Sequence, residues 1–170
     1  MGNLDDKKEE ITAAEGVRPI LVAVDFSSDS KAAFIWGLKH AALMAAPLIL
    51  LHVIHDPAEN PGFYNKEGHS ALLPLRDVAL EKMEAFMRSV LADHVETDDK
   101  PSIEKMLVDG LPSGRIVDVA NQQNAQLIVM GTRGRTGLPS LLLGSVAKQV
   151  LKESATPVVI AKTKPPQKPE

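Results

Sequence analysis

The chain has 170 residues, 44% hydrophobic and 24% charged, with a formal net charge of −3 and no cysteine. This is the balance of one globular domain with a sizeable core. It excludes disulfides, thiolate metal centres, iron–sulfur clusters and a cysteine nucleophile, and it contains no basic block that would favour nucleic acid or an anionic membrane. No apolar run approaches the roughly 18 residues of a membrane-crossing helix. The charged opening MGNLDDKKEE lacks an apolar signal core, so the expected compartment is the cytoplasm.

Residues 1–17 are polar and charged and read as a mobile arm. RPILVAVD (18–25) is an apolar run ending in Asp25, which suits a strand buried on both faces. Residues 28–46, SDSKAAFIWGLKHAALMAA, read as a helix with Ser or Asp at its start. PLILLHVI (47–54) is a second buried strand. Residues 55–71 hold Pro57, Pro61, Gly62 and Gly68 and form a long loop. From Leu75 the positions Leu75, Val78, Ala79, Met83, Phe86, Met87, Val90 and Leu91 mark one face of a helix. SIEKMLV (102–108) alternates as a sheet-edge strand would, and PSGRIVDVANQQ (112–123) is a helix with Pro near its first turn. AQLIVMG (125–131) is a buried strand, residues 144–154 form a helix, and TPVVIAK (156–162) is the last strand. Residues 163–170, TKPPQKPE, form a flexible tail. Alternation of this kind predicts a single α/β domain over 18–162, with a parallel sheet and helices on both faces.

Between the fourth strand and the last helix lies MGTRGRTGLPSLLLGS (130–145). Gly131, Gly134 and Gly144 let a backbone approach a bulky ligand and adopt positive φ. Successive N–H groups of such a loop can cradle phosphate oxygens. Ser145 is the expected N-cap of the last helix, whose dipole places about half a positive charge at the same point. Arg133 and Arg135 add fixed positive charge. Taken alone, such a loop is equally compatible with a plain surface loop. The strand before it, the helix after it and Asp25 in a neighbouring turn favour an anion site.

The loop is neither GxxxxGK[ST] nor GxGxxG. Its spacing, G-x2-G-x9-G-S, together with VAVDFSSDS, LILLHVI and PVVIAK, resembles the universal stress protein family over residues 18–162. The resemblance implies a Rossmann-like fold, of the adenine nucleotide alpha hydrolase type, with five strands in the order 3-2-1-4-5. It also implies the family's ATP-binding branch. Carried over, Asp25 would contact the ribose, and the Val53 backbone the adenine. Gly131, Arg133, Gly134, Gly144, Ser145 and Val146 would surround ribose and phosphates, with Ala23 and Met130 packed nearby. The implied ligand is ATP or another adenine nucleotide, accompanied by a Mg2+ ion held mainly by phosphate and water. Gln126 departs from the acidic residue frequent in the family, at a position expected on the surface and away from the site.

Other readings are weaker. The five histidines show no recognised ligand spacing, so no protein metal site is expected. His52 reads as a strand-end packing residue. In DFSSDS (25–30), Phe26 and Ser27 stand where a pyrophosphatase-type loop needs glycines. No GxSxG elbow exists, and no catalytic residue is assigned. The expected function is ATP-dependent regulation in a stress response, through assembly or an unidentified protein partner and without fast turnover. The alternative is a slow ATP hydrolase or phosphotransferase. A flavin carrier is disfavoured by the small aromatic set, Trp36, Tyr64 and four Phe. The apolar final strand 156–162 is expected to pair with a second copy and give a homodimer.

Overall fold

A computed structural model of the protein describes residues 16–55, 75–94, 101–132 and 143–163. The elements are β1 (Ile20–Ala23), α1 (Ser28–Leu43), β2 (Leu48–Ile54), α2 (Leu75–His94), β3 (Ile103–Asp109), α3 (Pro112–Gln122), β4 (Leu127–Gly131), α4 (Ser145–Glu153) and β5 (Val158–Ala161). All strands are parallel, in the order β3-β2-β1-β4-β5. This is the order implied by the family resemblance. The expected arm, the long loop and the tail lie almost wholly outside the described residues.

The strands form because β1 is an unbroken apolar run and β2 is interrupted only by His52, and both are buried along their whole length. Alternate residues serve opposite faces. Ile20, Val22, Val24, Leu48, Leu50 and Val129 pack with Phe34, Leu38, Met83 and Val90 of α1 and α2. Leu21, Ala23, Leu51, Val53, Ile128 and Met130 pack with Ile116, Val119, Ala147 and Val150 of α3 and α4. The stripe expected on α2 is real: Val78, Ala79, Met83 and Val90 are buried, and only its first member, Leu75, is exposed. Gly37 brings α1 close to the sheet, since a β-carbon there would lie 2.5 Å from Val22 Cγ2.

Boundaries follow hydrogen bonding rather than apolarity. The run 18–25 was expected to be strand throughout, yet β1 covers only Ile20–Ala23. Helix α1 ends at Leu43, because Ala45 turns to φ 48° and the Ala46 N–H reaches back to the Ala41 carbonyl at 2.9 Å. This six-to-one bond is the Schellman closure. Helix α3 closes the same way, with Asn124 at φ 49° and the Ala125 N–H donating to the Ala120 carbonyl. At the amino end of the sheet, Arg18 donates to the carbonyls of Asn124 and Ala125, and Gln126 Nε2 donates back to the Arg18 carbonyl. Gln126 is therefore at the end opposite the glycine loop.

Candidate functional site at the carboxyl ends of β1 and β4

In an open parallel sheet a crevice forms where adjacent strands send their connections to opposite faces. Here that point lies between β1 and β4. Strand β1 leads into α1 on one face, and β4 leads through residues 132–144 into α4 on the other. Asp25, Gly131 and Gly144 all sit at this end of the sheet.

The floor of the crevice is apolar. Ala23 on β1 pairs in register with Met130 on β4, and Val53 lies near the end of the neighbouring strand β2. All three point to the face covered by α3 and α4, where Val146 packs against the same cluster. All three are buried and form the top of that core at the carboxyl end of the sheet. Four of the expected site residues, from three strands and a helix, thus belong to one surface.

Asp25 stands two residues beyond β1. Its Oδ1 accepts the Ser27 N–H at 3.1 Å, its one hydrogen bond among the described residues. Between them Phe26 takes φ 67°, an uncommon conformation for a bulky side chain. Its ring lies 4.3 Å from that of His52 and 5.6 Å from that of Phe86. His52 is buried and its Nδ1 donates to the Val24 carbonyl at 2.8 Å. The histidine thus packs the underside of the Asp25 turn, consistent with its reading as a packing residue. Strained turns of this kind cluster at functional sites because the surrounding structure holds them. The sequence reading missed Phe26, since no sequence signal marks a phenylalanine at positive φ.

The two helix termini at the crevice differ. The N-terminus of α1 is closed: Ser27 is its N-cap, with Oγ accepting the Ser30 N–H at 3.2 Å, and Asp29 is in its first turn. The N-terminus of α4 differs: among the described residues it has no side-chain cap and no acidic residue in its first turn. Its N-cap is Gly144, not the expected Ser145, which is the first helical residue. The Gly144 N–H donates to the Thr132 carbonyl at 2.7 Å and ties the two ends of the loop together.

Positive φ was expected at the loop glycines, and the structure corrects it at Gly131 and Gly144. Gly144 has φ −71°, and the positive-φ glycines among the described residues are Gly16 and Gly110. Gly131 is required for another reason. A β-carbon there would lie 2.9 Å from the Asp29 carbonyl carbon and from Asp29 Cβ, and 3.0 Å from the Ser30 nitrogen. The close approach is to the start of α1, which crosses the end of β4. Gly134, Arg133 and Arg135 lie outside the described residues. No three His, Asp or Glu side chains among the described residues converge to hold a metal ion, and no described helix is long and apolar enough to cross a membrane.

An open α/β sheet with a glycine-bearing crevice between its first and fourth strands defines a class of small-ligand-binding folds. The model of the universal stress protein family matches residues 16–162, and the chain belongs to that family. It is 31% identical over 163 residues to the universal stress protein MJ0577 of Methanocaldococcus jannaschii, covering 86% of this chain and 96% of that one. The structure of the universal stress protein UspA from Lactobacillus plantarum superposes with a TM-score of 0.66 at 26% identity, over 85% of this chain and 97% of that one. A universal stress protein from Archaeoglobus fulgidus, solved in complex with dAMP, matches with a TM-score of 0.60 at 22% identity, over 85% and 98%. This last likeness carries the fold alone.

Proposed function

We propose that the protein is an ATP-binding regulator of the cytoplasm that works through nucleotide-dependent assembly or partner choice. The observation that carries the reading is the pairing of the uncapped α4 N-terminus with the apolar floor of Ala23, Val53, Met130 and Val146. A purine needs an apolar surface, and a phosphate needs unpaired N–H groups at a helix start. Of the two described helix starts beside β1 and β4, α4 offers the second, because Ser27 already closes α1.

In this reading the backbone at Val53 meets the adenine. The Asp25 carboxylate accepts a hydrogen bond from the ribose, and Ser145 and Val146 present their N–H groups to phosphate, with Gly144 beside them giving the backbone room. Gly131, Arg133 and Gly134 complete the phosphate side, and a Mg2+ ion would travel with the triphosphate. The test is mass spectrometry of nucleotide released from freshly purified, denatured protein, followed by calorimetric titration of ATP. An empty protein that also fails to bind added ATP would overturn the reading.

We further propose a homodimer through the outer edge of β5. The Ile128 N–H donates to the Pro157 carbonyl and the Thr132 N–H to the Ala161 carbonyl, so odd-numbered residues of this strand face β4. Val158 and Ile160 therefore turn their main-chain groups outward, where a second copy would add its strand. Ile160→Pro removes one outward N–H while keeping the ladder to β4, whereas proline at Val159 would break that ladder. Light scattering should show a dimer for the unmodified protein and a shift toward monomer for Ile160→Pro. A monomer at micromolar concentration, with and without ATP, would refute it.

A further inference from the structure

Asp29 is 3% exposed, yet the nucleotide reading gives it no role. Its Oδ2 accepts the Thr132 hydroxyl at 2.5 Å. Its Oδ1 accepts both the N–H of Thr163, at 3.1 Å, and the hydroxyl of Thr163, at 2.8 Å. These partners lie more than 100 positions away in sequence. Thr132 is the first residue after β4 and the root of the glycine loop. Its carbonyl accepts from Gly144 and its N–H donates to Ala161 of β5. Thr163 is the second residue after β5. One carboxylate therefore joins the start of α1, the root of the loop and the exit of the outer strand.

The chemistry makes these bonds interdependent. An ionised carboxylate only accepts, so both threonine hydroxyls must turn their protons toward it. Its place in the first turn of α1 favours the negative charge. In a buried site, losing one donor leaves charge under-satisfied, so the remaining bonds are strained to rearrange. Gly131 tightens the arrangement further, because the Asp29 carbonyl carbon lies 2.9 Å from where its β-carbon would be.

We propose that Asp29 is a positioning residue that couples the root of the nucleotide loop to the exit of β5, so that a ligand on the loop and the geometry of the sheet edge influence each other. The identity of the ligand rests on the nucleotide reading above, whereas the coupling between Thr132 and Thr163 does not.

The experiment follows amide hydrogen exchange in the full chain, first without nucleotide. In Thr132→Val, exchange at the Thr163 amide should accelerate about tenfold more than at Leu50, a core amide that reports global stability. Thr132→Ser, which keeps the hydroxyl, should restore protection. Thr163 following Leu50 in both variants would overturn the coupling. The second arm is calorimetric titration of ATP into Thr163→Val and Thr163→Ser, where the first should bind about tenfold more weakly (1.4 kcal/mol) and the second nearly as the unmodified protein. Equal ATP affinity in all three would overturn the link to the ligand. Failure of the unmodified protein to bind ATP would instead remove the nucleotide reading, and the exchange arm alone would then decide the coupling.

Discussion

Replacing Gly131 with alanine tests how the crevice is built. The new β-carbon would sit 2.9 Å from two Asp29 atoms and 3.0 Å from the Ser30 nitrogen, two of the three being main-chain atoms. Carbon–carbon contacts are optimal at about 3.5–4.0 Å, so the start of α1 would have to retreat by roughly 0.5–1 Å. It cannot do so freely. Asp29 is held by Thr132 and Thr163, and Ser30 by its bond to Ser27. Overpacking of this kind costs about 1–3 kcal/mol. For a chain of this size each kcal/mol lowers the melting temperature by about 2–4 °C, so a loss of about 2 kcal/mol is a drop of roughly 4–8 °C. Gly144→Ala is the internal control. Any residue can adopt its φ of −71° and ψ of 161°, and exchanging a glycine N-cap for alanine costs about 0.5–1 kcal/mol. Thermal unfolding by circular dichroism would measure both. A Gly131→Ala protein melting within about 1 °C of the unmodified one, or a larger loss in Gly144→Ala, would refute the argument. The comparison also identifies Gly144 as the better position for probing ligand binding, because its substitution leaves the packing of α1 on β4 alone.

Three further outcomes are expected. Ala45→Gly should stabilise the protein by about 0.5–1 kcal/mol in thermal melts: relief of a left-handed alanine is worth about 1–2 kcal/mol, offset by about 0.4–1 kcal/mol of added chain entropy. Glu84 is held below its ordinary pKa, chiefly by its hydrogen bond and also by the charge of Lys105 at 2.7 Å. Its contribution is therefore present above the ordinary glutamate range, about 4.3, and lost as pH falls below it. The melting-temperature gap between the unmodified protein and Glu84→Gln should narrow from pH 6 to pH 3, and a gap that widens would contradict the pairing. Asp25→Ala should weaken ATP and AMP alike by about 1–3 kcal/mol in calorimetric titrations, because the contact is to the nucleoside they share. A loss confined to ATP would place Asp25 on the phosphates instead.

Local patterning made most of the fold legible. Apolar runs flagged β1, β2 and β4 because strands buried on both faces need no polar alternation, and the 3–4 spacing from Leu75 marked α2. The strand order came from the family resemblance, since periodicity carries no information about which strands are neighbours. At the site, the glycine spacing pointed to the carboxyl end of β4, while the reasons for the glycines came only from three dimensions. Gly131 is demanded by the backbone of Asp29, which lies over 100 positions earlier in the chain, and Gly144 is an N-cap with ordinary φ. The same holds for Phe26, whose positive φ is sustained by packing on His52 and Phe86, and for the carboxylate that gathers Thr132 and Thr163. The sequence by itself determined which segments are strand or helix, because burial and capping act within a few residues. Tertiary structure alone decided which distant groups meet at the carboxyl end of the sheet, because close packing and buried hydrogen bonds depend on contacts that local patterning does not encode.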